Sequence, residues 1–218
     1  MIAGPNGSGK STLTDLLIEE GAELGTYINA DQIAAKLDLP EPLRSKRAQA
    51  IADLERDRCL SGGVSFSFET VMSHPSKIDV MIRANEAGYE VTLYFVCTSE
   101  PNINIARVAN RVRRGGHDVP KDRIVSRYHR TLGLLSDAAL AAAHTILFDN
   151  SSLSGADQKK GLRPVGEVVR DGNNYAVTLD ADVPEWVTEH LVGPLNAAAD
   201  QSNGAVRLTI ARRSGLLA

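Results

Sequence analysis

Apolar runs of strand length alternate with stretches of helical periodicity through the first 150 residues. The run "VTLYFVCTS" has apolar residues at the positions of both faces of a sheet, which is typical of a central parallel strand. The run "VSFSFET" alternates between apolar and polar residues, which also indicates a strand. This pattern predicts an α/β fold, with helices flanking a five-stranded parallel sheet of the P-loop NTPase, nucleotide-kinase-like type. The expected strands are residues 1–3, 26–30, 64–70, 91–99 and 144–150.

Glycines mark the ends of several predicted helices. Gly21 closes the first, Gly62 and Gly63 close a long one, and Gly115 and Gly116 separate two others. The expected helices are residues 10–20, 41–60, one that ends near 88, 101–114 and 121–143. The long helix is expected to place these apolar residues near one side: Leu43, Ala48, Ile51, Leu54 and Cys59.

The first predicted strand is short. Only three residues precede Gly4, whereas central strands usually have about five residues. Either further residues precede Met1 in the native protein, or the strand is short. In the second case we expect lowered stability, and we expect any added upstream coding residues to raise the melting temperature.

The composition and the predicted elements of the chain change after residue 150. The polar stretch at residues 151–161 has the composition of a linker. Two alternating runs, residues 165–169 and 175–180, are joined by Arg-Asp-Gly-Asn-Asn and predict a β-hairpin.

A last helix is predicted after the hairpin. Asp182, Pro184 and Glu185 have the pattern of a capped helix start, and Trp186 follows them. We therefore predict a core of residues 1–150 and a C-terminal extension of residues 151–218 with a linker, a hairpin and a helix.

Composition excludes several classes of protein. With 218 residues, of which 43% are apolar, the chain can bury a core, and its net charge of −3 argues against nucleic acid as a partner. No apolar run approaches the roughly 20 residues that cross a bilayer, and no signal pattern opens the chain, so we expect no membrane partner and a cytoplasmic location. Cys59 and Cys97 have no metal-ligand spacing, and we expect reduced, buried thiols.

The segment "GPNGSGKS" matches the phosphate-binding pattern G-x-x-x-x-G-K-[ST] between a predicted strand and a predicted helix. Its glycines let backbone amides converge on phosphate oxygens, Lys10 reaches the terminal phosphates, and the Ser11 hydroxyl ligates Mg²⁺. We expect ATP or GTP with Mg²⁺, against a Gly/Ser-rich turn that matches by chance. The predicted nucleotide-binding residues are Gly4, Pro5, Asn6, Gly7, Ser8, Gly9, Lys10, Ser11, Thr12 and Arg107.

Two acidic residues end predicted strands beside this loop. Open α/β sheets bind ligands at the carboxyl ends of their strands, which selects Asp31, Glu69 and Thr70. Asp31 is suited to take a proton from a substrate hydroxyl, or alternatively to cap the next helix. Glu69 is suited to hold Mg²⁺ directly or through water, or alternatively is an exposed loop charge.

A local basic cluster spans the Gly115-Gly116 break. Its arginines form one stripe on each helix, and like charges at this spacing repel unless acids or a polyanion neutralise them. We interpret residues 107–130 as a lid that closes over a triphosphate, the alternative being a solvated face; His117 orders this lid, contacts substrate or faces solvent. The basic residues are Arg107, Arg111, Arg113, Arg114, Lys121, Arg123, Arg127 and Arg130.

The motifs "GPNGSGKST", "INAD", "FSFET", "RVRRGGHDVP", "RYHR" and "FDNS", in this order, resemble the zeta-toxin family of P-loop kinases, particularly its Gram-negative branch. The resemblance covers residues 1–151. It implies transfer of the ATP γ-phosphate to the 3′-hydroxyl of the sugar in UDP-N-acetylglucosamine, by a toxin that an antitoxin restrains.

The resemblance also implies roles for individual residues. Lys10 and Ser11 match the phosphate-loop lysine and the metal-binding hydroxyl, and Asp31 matches the catalytic base. Glu69 and Thr70 match the substrate-contacting segment after the third strand. The catalytic arginines are assigned to Arg111 and Arg114.

Two other functions remain open at the level of the sequence. One is a housekeeping kinase of a small metabolite on the same fold. The other is a nucleotide-dependent switch or ATPase module whose hairpin and Trp186 region bind a protein.

Overall fold

The computed structural model describes residues 1–152 and 161–213. Residues 153–160, which are most of the linker predicted at 151–161, and the last residues, 214–218, lie outside the described residues. The strands are β1 (Ile2–Ala3), β2 (Thr26–Ile28), β3 (Phe66–Thr70), β4 (Thr92–Cys97), β5 (His144–Asp149), β6 (Arg163–Asp171), β7 (Asn174–Asp180) and β8 (Arg207–Arg213). The helices are α1 (Lys10–Glu19), α2 (Ala30–Ala35), α3 (Leu43–Gly62), α4 (Ser76–Glu86), α5 (Pro101–Arg113), α6 (Lys121–Gly133), α7 (Leu135–Ala141), α8 (Glu185–Val187) and α9 (Gly193–Gln201), with a π-helical turn at Thr188–Val192.

The strands of the described residues form one mixed sheet in the order β2-β3-β1-β4-β5-β6-β7-β8. The first five in this order pair in parallel, which confirms the predicted five-stranded parallel sheet. β6 runs antiparallel to β5. β7 runs antiparallel to β6, as the predicted hairpin requires. β8, which was not predicted, pairs in parallel with β7 and extends the sheet further.

Strand β4 illustrates how both faces of the sheet are covered. Phe95 belongs to a large cluster that includes Met81 of α4 and Leu135 of α7. Its neighbour Val96 belongs to a different cluster, with Ile2 of β1 and Leu13 of α1. Because successive side chains of a strand point to opposite faces, helices pack against the sheet from both sides.

The two cysteines are free and buried, as predicted. Burial raises the pKa of Cys97 to about 12, so this thiol stays protonated at neutral pH.

The predicted helix at 121–143 is wrong in one respect, because it consists of two helices. α6 ends at Gly133, a weak helix former, and the backbone of Leu134 leaves the helical region before α7 begins. None of the helices in the described part of the chain has the length and apolar character needed to cross a bilayer.

The buried side of α3 also differs from the prediction. Leu43 and Leu54 are 53% and 57% exposed. The residues that pack inward are mostly small, whereas the side chains of Leu43 and Leu54 project to solvent. The side chains that α3 buries are those of Ala48, Ala52, Arg56 and Cys59.

The C-terminal extension shares the core of the residues before it. Trp186 is 4% exposed, and its ring lies 5.8 Å from that of Phe95 in β4. Its Nε1 donates a hydrogen bond to Asp149 at the end of β5 (3.5 Å). The Trp186 ring is therefore a core side chain and is not itself an exposed contact for a protein partner. Nor does Asp182 cap the helix: the residue before α8 is Pro184, and no side chain caps its amides.

The short strand β1 lies in the middle of the parallel sheet, between β3 and β4. Ile2 and Ala3 are almost completely buried. The ammonium of Met1 donates a hydrogen bond to the carbonyl of Thr92 (2.7 Å), and burial lowers the pKa of this ammonium to about 5. The expected loss of stability from so short a strand stays a prediction.

Candidate active site

A cleft of about 1150 Å³ opens at the carboxyl ends of β1, β2 and β3. The register of the strands explains the convergence, because Ala3 lies beside Thr70 and Ile28 beside Phe68. The phosphate-binding loop of residues 4–11 (the P-loop), the segment after β2 and the end of β3 thus reach the same level of the sheet. The predicted site residues that line the cleft are Asn6, Gly7, Gly9, Lys10, Ser11, Thr12, Asp31, Glu69, Thr70, Arg107, Arg111, Arg114 and His117. The other predicted residues, Gly4, Pro5 and Ser8, are buried within the loop.

The P-loop requires glycine for reasons of space. A Cβ on Gly4 would lie 2.0 Å from the carbonyl oxygen of Val96, and one on Gly9 would lie 2.3 Å from Nδ2 of Asn150. Both residues also have positive φ angles, of 152° and 106°, which side chains rarely adopt. The loop therefore packs directly against the ends of β4 and β5.

Two asparagines that the sequence did not single out hold the P-loop in place. Asn104 of α5 donates from Nδ2 to the carbonyl of Asn6 (2.7 Å), and Asn150 donates from Nδ2 to the carbonyl of Ser8 (2.7 Å). Both asparagines are buried. A polar residue on the inner face of a helix is the signal that marks Asn104, and Asn150 is marked by its place after β5.

Lys10 lies over the loop with its side chain turned back. Its Nζ donates hydrogen bonds to the carbonyls of Gly4 and Pro5, both at 3.0 Å. Burial lowers the pKa of Lys10, while the negative charges of Glu69 and Asp31 act to raise it. The ammonium is thus within electrostatic reach of both predicted acids.

Glu69 is the hub of a hydroxyl network. Its Oε2 accepts from Ser11 (3.0 Å), and its Oε1 accepts from Thr14 (2.7 Å) and Tyr27 (2.6 Å). Burial raises the pKa of Tyr27, and the hydrogen bond to Glu69 raises it further, so the phenol stays a donor. The alternative of an exposed loop charge is therefore wrong.

The network continues from Tyr27 to the helix that carries Asp31. Asn29 donates from Nδ2 to the Tyr27 hydroxyl (2.9 Å). Its Oδ1 accepts from the backbone amides of Asp31 (2.9 Å) and Gln32 (3.3 Å), which caps α2. The capping alternative for Asp31 is therefore wrong, because Asn29 is the cap and Asp31 lies exposed in the first turn, lining the cleft.

Thr70 and Ser11 complete the inner wall of the cleft. The Thr70 hydroxyl accepts a hydrogen bond from the backbone amide of Met72 (3.1 Å), which fixes the turn after β3. Ser11 and Glu69 place a hydroxyl and a carboxylate side by side, which are oxygen ligands that suit Mg²⁺. Within residues 1–152 and 161–213, no group of three or more His, Cys, Asp or Glu residues could hold a metal ion by itself. A magnesium ion here fits only if phosphate oxygens and water supply its remaining ligands.

The arginine cluster lines the cleft from α5, α6 and the loop between them. Arg111 donates from Nη2 to the carbonyl of His117 (2.8 Å), which ties the loop after α5 to that helix. Arg107 donates to the carbonyl of Ser152 (3.3 Å). The arginines of this cluster that line the cleft are Arg107, Arg111, Arg114, Arg123 and Arg127.

Arg127 contacts the P-loop directly. Its Nη1 donates to Oδ1 of Asn6 (3.4 Å). Burial lowers the pKa of Arg127, and the positive charges of Arg123 and Arg130 lower it further, whereas Asp31 acts to raise it. The second stripe therefore contributes at least one arginine to the site, which the assignment of Arg111 and Arg114 alone did not foresee.

The fold and the site define a P-loop protein of the nucleotide-kinase type, with the phosphate loop between β1 and α1 and the parallel order β2-β3-β1-β4-β5. The chain belongs to the zeta toxin family, whose model matches residues 43–152, from the start of α3 to just after β5. An uncharacterised protein of Haemophilus influenzae is 31% identical over 133 residues, which are 57% of this chain and 88% of that protein.

Solved structures show the same fold at lower identity. The AvrRxo1-ORF1:AvrRxo1-ORF2 complex crystallised with ATP superposes with a TM-score of 0.57 at 16% identity, covering 77% of this chain. The PezAT chromosomal toxin–antitoxin system of Streptococcus pneumoniae gives a TM-score of 0.54 at 15% identity, covering 76% of this chain. This chain spans 57% of the matched AvrRxo1 chain and 69% of the matched PezAT chain.

Proposed function

We propose that the protein is a phosphotransferase that transfers the γ-phosphate of ATP, or of GTP, to a hydroxyl group of a second substrate. One observation carries this proposal: Lys10, Asp31 and Glu69 converge in a single cleft, with both carboxylates within electrostatic reach of Lys10. An ATPase or switch has little need for a carboxylate beside the phosphate loop that can accept a proton from a second substrate.

The residues of the cleft divide the reaction between them. The P-loop and Lys10 hold the terminal phosphates, and Asp31 accepts the proton of the attacking hydroxyl. The hydroxyl oxygen bonds to the γ-phosphorus, and the bond from that phosphorus to the bridging oxygen breaks, which releases ADP. Arg111, with Arg114 or Arg127, stabilises the charge on the transferred group.

A magnesium ion, when bound, would neutralise charge on the β- and γ-phosphates, and Ser11 and Glu69 are the residues that would hold it. Glu69 also orients Ser11 through the hydrogen bond between them.

The segment of residues 107–130 is proposed to act as the lid. It carries five of the cleft-lining arginines, and Gly115, with a φ angle of 85°, provides a joint between its two helices. Closure would exclude water, so that the acceptor hydroxyl competes successfully for the γ-phosphate.

For the acceptor we propose the sugar of UDP-N-acetylglucosamine or a similar sugar nucleotide, with the protein acting as the toxin of a toxin–antitoxin pair. Membership of the zeta toxin family supports both points. The likeness to the PezAT toxin–antitoxin system supports an antitoxin partner, and the likeness to a complex crystallised with ATP supports ATP as the donor.

The test is transfer of label from γ-labelled ATP to UDP-N-acetylglucosamine in the presence of Mg²⁺. We expect Asp31→Asn to lower the transfer rate at least a hundredfold while ATP still binds, because only proton acceptance is lost. Lys10→Ala should abolish transfer together with nucleotide-dependent activity.

The matched control is Asp38→Asn, which removes an exposed aspartate that does not line the cleft. Transfer in Asp31→Asn at the rate of this control would exclude Asp31 as the base. ATP hydrolysis without transfer would contradict the proposed acceptor.

A further inference from the structure

A second charged cluster lies in the same cleft, on the side formed by α3 and α4. Arg56 of α3 and Lys77 of α4 both contact one oxygen of Asp53: Arg56 through an ion pair, and Lys77 through its Nζ at 3.4 Å. Gln49 donates to the same oxygen from Nε2 (3.2 Å). All four residues line the cleft, and the reaction described above uses none of them.

Arg56 is an unusual residue for the buried side of a helix, because charged side chains are rarely buried. The side chain of Arg56 is only 5% exposed, and its guanidinium carbon lies 4.8 Å from the centre of the Phe68 ring. The rest of the buried side of α3 consists of two alanines and a cysteine. The partner of Arg56, Asp53, is 51% exposed, so the ion pair is only partly buried, and desolvation of the guanidinium offsets part of the attraction between the charges.

The cluster has an excess of positive charge. Two cations share one carboxylate, which leaves the group of Arg56, Lys77 and Asp53 with a net charge of +1. Burial lowers the pKa of Lys77, and the nearby charge of Arg56 lowers it further. Helix α4 begins at Ser76, next to Lys77. The positive end of the helix dipole therefore adds to the positive potential of the cluster.

The position of the cluster separates it from the nucleotide-binding groups. The P-loop, α5 and α6 supply one group of lining residues. Arg56 and Lys77 come instead from α3 and α4, the helices that precede and follow β3 in the chain. Asp31 and Glu69 lie at the ends of β2 and β3. The cleft, at about 1150 Å³, exceeds the roughly 300–1,000 Å³ of a pocket for one small ligand.

We propose that Arg56 and Lys77 form a second anion-binding subsite, which holds a phosphate or diphosphate group of the acceptor away from the hydroxyl that reacts. The inference rests on the proposed phosphotransferase function, because it assigns one wall of the cleft to the acceptor. An acceptor with such a group is bound at two points, which orients its hydroxyl toward Asp31. Neutral sugars without a phosphate lack the second point and are poor acceptors.

The chain supplies a matched pair of variants for the test. Lys77 pairs with Asp53, and Arg83 pairs with Asp57 (2.9 Å), so each links α4 to α3 by an ion pair. Of these two cations, Lys77 lines the cleft and Arg83 does not. Lys77→Gln and Arg83→Gln therefore remove comparable links between the helices but differ in their effect on the cleft.

Binding of UDP is measured by calorimetry on the protein saturated with a non-hydrolysable ATP analogue, with pyrophosphate as a second probe. We expect Lys77→Gln to weaken binding of both probes at least tenfold and Arg83→Gln to change it less than twofold. In the transfer assay, Lys77→Gln should raise the KM for UDP-N-acetylglucosamine tenfold, with kcat and the KM for ATP nearly unchanged. Equal effects of the two substitutions, or unchanged probe binding in Lys77→Gln, would overturn the proposal.

Arg56→Met separates binding from folding. We expect this variant to keep the melting temperature of the parent and still bind UDP at least tenfold more weakly. A lower melting temperature with unchanged UDP binding would show a structural arginine and overturn its role in the subsite. The outcome is independent of the acceptor: if the parent fails to phosphorylate UDP-N-acetylglucosamine but binds UDP through Lys77, the proposed acceptor fails and the subsite stands.

Discussion

Asn29 connects two acids that act at different points of the site. Its amide contacts the Tyr27 hydroxyl, which donates to Glu69, and its carbonyl oxygen caps the helix that begins beside Asp31. In the proposed reaction Asn29 is a positioning residue, because its hydrogen bond with the Asp31 amide holds the backbone that carries the Asp31 side chain. Its cap is worth about 1 kcal/mol to the short helix α2.

Replacement of Asn29 by alanine should lower kcat for transfer about tenfold and leave the affinity for ATP unchanged, because the helix that carries Asp31 loses its cap. Asn29→Ser is the matched control, since serine also caps helices, and it should retain most of the rate. Steady-state kinetics and ATP titrations measure both effects. A similar kcat for the two variants would exclude a role of the cap.

At the scale of single elements, the central position of β1 has consequences for stability. Two residues form the whole strand, yet it pairs with β3 on one side and β4 on the other. Each side chain of so short a strand carries a large share of its packing, and the P-loop follows directly.

Ile2→Ala is expected to destabilise the protein by about 3 kcal/mol, within the range for a buried isoleucine truncated to alanine. Ile18→Ala, in an α1 position that is 52% exposed, should change stability by less than about 0.5 kcal/mol. Urea denaturation followed by circular dichroism measures the difference. Similar costs for the two variants would mean that β1 contributes little to the fold.

At the scale of the whole molecule, the C-terminal extension completes the hydrophobic core. Val165 and Val177 of the hairpin share a cluster with Phe95 and Leu147 of the parallel strands, and Trp186 covers the same cluster. The division of the chain at residue 150 stays a prediction about domains, but the core crosses that boundary.

Truncation of Trp186 to alanine should therefore cost about 3–5 kcal/mol, as for other buried aromatic residues. The affinity for ATP, measured well below the melting temperature, should stay unchanged because Trp186 does not line the cleft. Trp186→Phe, which keeps most of the packing against Phe95, should recover much of the lost stability. A loss of ATP binding in the stable Phe variant would show that the extension acts on the site.

The sequence predicted those parts of the fold and the candidate site that depend on local signals. The P-loop motif and the alternation of strands and helices were enough to bring Lys10, Asp31 and Glu69 to one edge of the sheet. Asn104 and Asn150 could not be predicted in the same way, because they contact the P-loop across 98 and 142 residues of sequence. The prediction of the buried side of α3 was wrong for a related reason, because the stripe of a helix that packs inward depends on the surface against which it packs.

The contacts of the P-loop also make its order depend on segments far along the chain. β4, on which the loop rests, ends at Cys97, and Asn150, which holds the loop from the other side, follows β5. A chain in which these segments are unfolded consequently has no ordered phosphate loop, even though the loop sequence is intact. The proposed binding of nucleotide is therefore a property of the folded sheet and not of the motif alone.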